Sequence, residues 1–341
     1  ILEKKAKESI LKNIINATSL NRKQLIQRIS LFDQQTKLPL TLKNFTEFNN
    51  TPLQLIYKKG SWKRLCQEAG KIENFSEENE KQIVSAILKK WLSTNSTSYF
   101  SFILKLAKQN FHFKMSDLNK EESQMALMLH YDIWQKEGGF KSLEESIRSI
   151  GANPMLVEEI REVVEILIDN IDFKEIDIKL PYNQPLKVHS RYTRDQILAA
   201  FQLSTFQKKS SSREGVAENK DLNTELLFIN LIKSEENFSP STMYDDYAVN
   251  EVLFHWQSQN SSRPETGKGL SYISHKENNK RVLLFVREKA SDEFGNRMGY
   301  VFIGEGNLKD YYGSKPMSIN WELKEPIPAY LWKESAKLAV G

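Results

Sequence analysis

The chain of 341 residues contains one cysteine, Cys66, and lacks any long apolar run. A single thiol excludes an internal disulfide framework and a cysteine-based zinc site, and it favours a reducing, cytoplasmic setting. Because no run reaches the roughly 18 apolar residues of a membrane span, we predict no membrane partner. The first residue is Ile1, and no apolar signal segment follows it, so we expect a fragment or a processed chain.

The signatures of common catalytic sites are also missing from the sequence. ETGKGLS at 265–271 lacks the first glycine of a P-loop, and HFKMSD at 112–117 is too short for the HxKxxxxD motif of phospholipase D-type nucleases. Asp245 and Asp246 are adjacent and would point to opposite faces of a strand, which makes them poor candidates for a shared metal or an acid/base pair. We therefore predict that this chain is not itself an enzyme and that it holds no cofactor or metal.

The charge balance is mild. The net charge is +4, and from Leu186 onward 21 Lys and Arg face 20 Asp and Glu. A value this small is compatible with a polyanionic partner without establishing one. Any nucleic-acid surface must then be a local patch.

Residues 1 to about 170 show the 3.6-residue apolar periodicity of helices. Ser142 with Glu145 predicts one helix start, and Asn153 before Pro154 predicts another. A third start is predicted at Ser76. Since these apolar faces can be buried only against one another, the pattern predicts an all-α helical bundle, which with a linker spans residues 1–185.

After Asp172 the pattern changes to short apolar runs separated by Gly, Asn, Asp and Ser. One helix is predicted to begin at Thr193, whose capping partner is Gln196. Strands are predicted in TELLFINLI (224–232), KRVLLFVRE (280–288), GYVFIGE (299–305) and MSINWEL (317–323). The tract 207–223 is predicted to be a long polar loop. The predicted fold is therefore α+β, with the helical bundle followed by a β-rich, partly closed barrel domain at 186–341.

The segment NFSPSTMYDDYAVNEVLFHWQSQ, at 237–259, concentrates aromatic rings beside hydrogen-bond acceptors. A nucleobase taken out of a duplex is held by stacking and by hydrogen bonds to its edge, and the amino group of cytosine suits a carboxylate. The candidate base-binding residues are Tyr244, Asp245, Tyr247, His255, Trp256 and Gln257. Trp256 could equally belong to the core, and Asp245 could merely cap a turn.

Basic side chains in loops and at helix starts are the candidates for contacts with DNA phosphate. They are Arg191, Arg194, Lys268, Arg287 and Lys315. Arg191 and Arg194 could instead form a solvated surface.

Several segments together carry a resemblance to a known family: 37–70, VHSRYTRDQILAAF (188–201), the aromatic block, VLLFVREK (282–289) and GSKPMSINWEL (313–323). They resemble the C-terminal region of bacterial superfamily 2 helicases that carry the domain of unknown function numbered 3427. Described members look like Type IV, modification-dependent restriction endonucleases of the SauUSI kind, with a phospholipase D-like nuclease and a helicase motor upstream.

The resemblance implies an SRA-like domain that flips 5-methylcytosine or 5-hydroxymethylcytosine out of double-stranded DNA. It also implies that the helical domain is a spacer or coupler, and that ATP and Mg²⁺ serve the upstream motor rather than this chain. Two alternatives stay open: a protein-interaction or regulatory region of a helicase, and a DNA binder that ignores modification.

Overall fold

The computed structural model describes residues 20–231 and 246–332. The chain divides into two compact units, Ile1–Asp172 and Phe173–Gly341, which we call the helical unit and the β unit. The segment that follows Asp172 belongs to the β unit because it is bonded to it: Ile176 and Val188 exchange backbone hydrogen bonds, and Ser190 Oγ donates to Glu175. The division therefore lies N-terminal to the boundary predicted near residue 185.

Local capping signals set the ends of several helices in the helical unit. Asn153 accepts from Leu156 N with Pro154 in the first turn, and Ser142 accepts from Glu145 N, so both predicted starts are confirmed. The start predicted at Ser76 is wrong, because that helix begins at Glu80. The described helices are α1 (Arg22–Ser30), α2 (Phe32–Gln35), α3 (Leu42–Phe48), α4 (Leu53–Tyr57), α5 (Trp62–Glu68), α6 (Glu80–Lys89), α7 (Thr97–Lys108), α8 (Lys120–Trp134), α9 (Leu143–Arg148) and α10 (Pro154–Asp169).

A buried carboxylate ties three of these helices together. Glu159 of α10 is fully buried and accepts hydrogen bonds from Tyr57 Oη at 2.8 Å, Trp62 N at 2.7 Å and Lys63 N at 2.9 Å. Each oxygen of the carboxylate thus has a donor, which offsets part of the cost of removing its charge from water. The apolar stripe of α10 packs on the short N-terminal helices around this point.

The described residues of the β unit form short helices and one sheet. Its elements are β1 (Arg191–Tyr192), α11 (Arg194–Ala200), β2 (Val216–Asn219), β3 (Thr224–Asn230), β4 (Tyr247–Asn250), β5 (Leu253–Gln257), α12 (Gly267–Ile273), β6 (Arg281–Arg287), β7 (Tyr300–Tyr312) and β8 (Ser318–Leu323). The capping box of Thr193 and Gln196 begins α11 as predicted. All four predicted strands are present, but β2 lies inside the tract predicted to be a loop.

The strand order is β2-β3-β6-β7-β8-β5-β4, and β1 pairs with β7. β3 and β6 are parallel, whereas the other pairs are antiparallel. The predicted α+β class is confirmed. Among the described residues the outer strands β2 and β4 do not pair with each other, so the sheet is open rather than a closed barrel.

β7 is long because it serves both parts of the sheet. Its first part pairs with β1 and β6, and its second part pairs with β8. Gly304, at the change of partner, has φ of +108°, a conformation that favours glycine. At Gly306 a Cβ would lie 2.7 Å from Leu284 Cδ1, so the small residue allows close packing there.

The sheet buries apolar side chains on both faces. One face forms a core around Trp256, Tyr272 and Trp321. On the other face Phe201, which follows α11, contacts Phe285 with ring centroids 6.0 Å apart. Among the described residues, polar side chains lie at the strand ends and on the outer surface of β4, β5, β8 and the last part of β7, and a buried set of ion pairs joins β2 to β3.

Candidate nucleic-acid interface

Four arginines converge where β3 and β6 end and β7 begins. We call them the arginine cluster: Arg191, Arg194, Arg287 and Arg297. The guanidinium carbon of Arg194 lies 3.9 Å from the ring centroid of Phe228, and that of Arg287 lies 4.4 Å from the ring centroid of Tyr300. The two rings are themselves in edge contact, with centroids 5.2 Å apart. Aromatic faces thus hold two of the cations side by side.

The cluster has more positive charge than its carboxylate partners neutralise. Arg191 makes a two-pronged ion pair with Glu288, with N–O distances of 2.9 and 2.8 Å. Arg194 instead donates to the backbone oxygens of Ser212 and Glu214, at 3.1 and 2.6 Å. These bonds fix the direction of the Arg194 guanidinium while leaving its charge in place.

Arg287 is held in the same way. The Nε of Arg287 donates to Asn230 Oδ1 at 2.5 Å, and its Nη1 donates to Met298 O at 3.0 Å. The residue is buried, with 9% exposure. Arg297 follows in the loop between β6 and β7 and is exposed. No ion pair of Arg194, Arg287 or Arg297 with a carboxylate is found at 4.0 Å or less among the described residues.

The pKa shifts reflect this arrangement. Burial lowers the pKa of Arg287, and the charges of Arg297, Arg194 and Arg191 lower it further. Burial also lowers the pKa of Arg194, whereas Glu288 raises that of Arg191 against the effect of burial. Because arginine stays protonated in proteins, the mutual repulsion of these charges persists in the folded chain and would be reduced by a nearby anion.

The structure thus brings together three of the five residues predicted to contact phosphate and separates the other two. Lys268 forms ion pairs with Glu218 at 2.6 Å and Glu225 at 2.7 Å. Lys315 is exposed in the turn between β7 and β8. Their roles toward DNA stay predictions, and the partners of Lys268 leave it little excess charge.

The predicted base-binding residues also separate. Trp256 is 5% exposed, and its ring meets Tyr272 in the core at a centroid distance of 5.2 Å, so its faces are already in contact with protein. The backbone N of Gln257 donates to Asp246. Tyr244 and Asp245 lie outside the described residues.

Tyr247 and His255 take part in a row of rings on the outer surface of the sheet. Their ring centroids are 4.8 Å apart, and His255 is stacked with Tyr312 at 6.1 Å. His255 Nδ1 lies 2.8 Å from Asn320 Oδ1, and Asn320 Nδ2 donates to Asp310 Oδ1 at 2.6 Å. We call Tyr247, His255 and Tyr312 the ring column.

Sequence reasoning missed Tyr312, Asp310 and Arg297. Two adjacent tyrosines before a Gly–Ser turn, in YYGSKP at 311–316, are a signal that could have identified Tyr312. Arg297 has no such local signal, because its proximity to Arg194 and Arg287 arises from the fold. In the described part of the chain no group of His, Cys, Asp and Glu is arranged to hold a metal ion, and no helix is long and apolar enough to cross a bilayer.

Comparison with known proteins adds one family match. No curated protein matches the chain. Among solved structures, that of Arabidopsis thaliana SUVH6 in complex with SAM is similar at 9% identity and a TM-score of 0.31, over 76% of this chain and 42% of that chain. Residues 186–335, which lie in the β unit, match the family described as "Domain of unknown function (DUF3427)", as the resemblance predicted.

Proposed function

We propose that the β unit binds DNA and that the arginine cluster contacts the phosphate backbone. The observation that carries the proposal is the excess of charge: Arg194 and Arg287 lie against Phe228 and Tyr300, the charges of Arg191 and Arg297 act on Arg287, and Glu288 pairs with Arg191 alone. Arginine donates in a fork that fits two phosphate oxygens, and phosphate contacts supply the sequence-independent part of DNA affinity. A phosphate would provide the negative charge that Arg194, Arg287 and Arg297 lack.

We further propose that the bound DNA carries a modified cytosine, which is read after flipping. This finer proposal rests on the family resemblance and on the ring column. Flipping costs a few kcal/mol and stacking on an aromatic returns about 1 to 3 kcal/mol, so the two nearly cancel. Phosphate contacts would then supply most of the net affinity.

The proposed setting is a larger restriction endonuclease, in which an upstream nuclease cuts the DNA and an upstream helicase that uses ATP and Mg²⁺ is the motor. In that setting the β unit recognises the target, and the helical unit couples it to the motor. No catalytic role is proposed for the residues of this chain.

The phosphate-contacting role is tested with Arg297→Ala, because this exposed side chain can be removed without opening the core. Anisotropy titrations of a short duplex at several salt concentrations should show weaker binding, and the slope of log K against log salt should become shallower by about 1. Arg161→Ala is the matched control, since Arg161 is an exposed arginine of the helical unit. An unchanged slope for Arg297→Ala, or an equal loss for Arg161→Ala, would contradict the proposal.

Modification reading is tested by competition between a duplex with 5-methylcytosine and its unmethylated twin. Burying one methyl group contributes about 0.8 kcal/mol, which corresponds to about a fourfold preference. Equal affinity for the two duplexes would remove the finer proposal. DNA binding through the arginine cluster would survive that result.

A further inference from the structure

We propose that the exposed ring of Tyr312 is a stacking platform for one unpaired nucleobase, and that Asp310 favours bases with an exocyclic amino group. This inference rests on the proposed DNA binding and assigns a ligand to a surface at the other end of β7 from the arginine cluster. The base would belong to single-stranded DNA or to an unstacked position in a duplex.

The ring column stops at an open face of Tyr312. Strand order places β4 on one side of β5, and β8 and then β7 on the other side, so Tyr247 and Tyr312 approach His255 from opposite sides. The planes of His255 and Tyr312 are inclined by 24°. His255 is 3% exposed, whereas Tyr312 is 58% exposed. A flat ring placed on Tyr312 would continue the column by one member.

Backbone hydrogen bonds hold the hairpin that carries Tyr312 in place. The turn between β7 and β8 is bonded to the segment before α12: Lys315 N donates to Ser262 O at 3.0 Å, and Met317 N donates to Ser258 Oγ at 2.9 Å. An exposed aromatic side chain on a fixed hairpin loses little conformational entropy when a base stacks on it.

Asp310 lies two residues before Tyr312 on the same strand. Successive residues of a strand alternate between faces, so the two side chains share a face about 7 Å apart. A carboxylate only accepts hydrogen bonds, and therefore the amide nitrogen of Asn320 must face Asp310 and the amide oxygen must face His255. The network thus fixes Asp310 as an acceptor beside the stacking face.

This acceptor distinguishes the bases. Cytosine and adenine present an amino donor on the edge that Asp310 would meet, whereas thymine presents a carbonyl oxygen at the equivalent position. Asp310 is exposed, so its carboxylate can reach such a donor. We expect cytosine to bind better than thymine.

The loops near Tyr312 carry positive charge. Lys315 and Arg263 are exposed, and the hydrogen bond between Lys315 N and Ser262 O brings their two loops together. Exposed cations in the loops near an exposed ring match the combination that binds single-stranded nucleic acid, in which phosphates are held by charge and bases by stacking.

The experiment uses the full chain and two single-stranded probes, an oligo(dC) and an oligo(dT) of equal length, in anisotropy titrations at fixed salt. The native protein should prefer oligo(dC). Tyr312→Ala should weaken binding of oligo(dC) by about tenfold, whereas Tyr312→Phe should retain it, because the phenyl ring keeps the stacking face. Asp310→Asn should keep the bond from Asn320 yet reduce the preference for oligo(dC) over oligo(dT) by about threefold or more.

Val249→Ala is the matched control, because Val249 is an exposed apolar residue of the same unit, with 46% exposure. Thermal unfolding checks that each variant is folded. Equal affinity of Tyr312→Ala and the native protein for oligo(dC) overturns the platform, and an unchanged base preference in Asp310→Asn overturns the role of Asp310. If the native protein binds neither single strands nor a duplex, the proposed DNA-binding function fails as well. A third outcome separates the two proposals. If Arg297→Ala loses duplex binding while Tyr312→Ala binds single strands as the native protein does, the proposed DNA binding stands and the stacking platform is wrong.

Discussion

The carboxyl group of Glu159 makes the stability of the helical unit depend on pH. Burial raises its pKa to about 7, although hydrogen bonds from Lys63 N, Trp62 N and Tyr57 Oη act in the opposite direction. Between the usual value, near 4.5, and about 7, the folded chain holds a proton that the unfolded chain has released. The free energy of unfolding therefore receives a contribution from this group that falls as pH rises through that window.

Glu159→Gln should remove this pH dependence. The amide keeps one acceptor oxygen, so one of the three donors loses its partner, at a cost of about 1 to 3 kcal/mol at pH 5. The free energy of unfolding of Glu159→Gln should therefore lie below that of the native protein at pH 5, and this gap should be smaller at pH 7.5. Urea unfolding at the two pH values measures it. Glu165→Gln, at an exposed position of the same helix, is the control. A difference that widens with pH would contradict the assignment.

Glu288 limits the positive charge of the arginine cluster. Its two oxygens accept from Arg191 and compensate one of the four guanidiniums. Glu288→Gln should therefore raise the affinity for a DNA duplex about two- to fivefold at low salt, because a negative charge near the phosphate is removed.

The same substitution should lower the free energy of unfolding by about 1.5 to 3 kcal/mol, since a charged hydrogen bond is lost. Opposite signs in the two measurements are the diagnostic result. Weaker duplex binding by a folded Glu288→Gln protein would contradict the predicted effect of this charge, and unchanged binding would place the DNA away from Arg191.

At the scale of elements, an ion-pair network fastens β2 and α12 to β3. Glu225 is fully buried and pairs with Lys280 at 2.9 Å and Lys268 at 2.7 Å, and Glu218 pairs with both lysines at 2.6 Å. The Lys280 side chain is 7% exposed and that of Lys268 is 40% exposed, so the two should contribute unequally.

Lys280→Met should reduce the free energy of unfolding by about 3 to 5 kcal/mol, because it leaves a buried carboxylate with one partner fewer. Lys268→Met should cost about 1 kcal/mol or less, since water screens the exposed ammonium. Denaturant titration of both variants decides this. A larger loss of unfolding free energy for Lys268→Met than for Lys280→Met would contradict this prediction. Weaker duplex binding by Lys268→Met would support the phosphate contact predicted for Lys268.

Elements were predictable where their signals are local. The capping pair of Thr193 with Gln196 and the four apolar runs identify α11, β3, β6, β7 and β8, because each signal lies within a few residues. β2 escaped detection, since Val216–Asn219 is too short and polar and is a strand through its pairing with β3.

The candidate sites were less predictable, for the same physical reason. Arg194 begins a helix and Arg287 ends a strand, and neither position reveals that Phe228 and Tyr300 bring them together. For Trp256 the local sequence gave a misleading signal. Its polar neighbours His255 and Gln257 indicate a pocket rim, yet alternation along β5 turns its ring into the core.

At the scale of the whole molecule, the proposed DNA affinity would depend on where the charge is concentrated. The net charge is +4 over 341 residues, which is too little for the entire surface to attract a duplex. A local cluster is sufficient, because each phosphate neutralised by a cation releases counterions whose number is read from the salt dependence.

If the arginine cluster is the main contact, the slope of log K against log salt should lie between about −2.7 and −3.6, since three to four cations are engaged at about 0.9 each. Titrations of the full chain with an unmodified duplex over a fourfold range of salt would measure it. A slope near −9 would require about ten phosphate contacts. The arginine cluster cannot supply so many, and that result would mean that cations elsewhere in the chain also lie along the DNA.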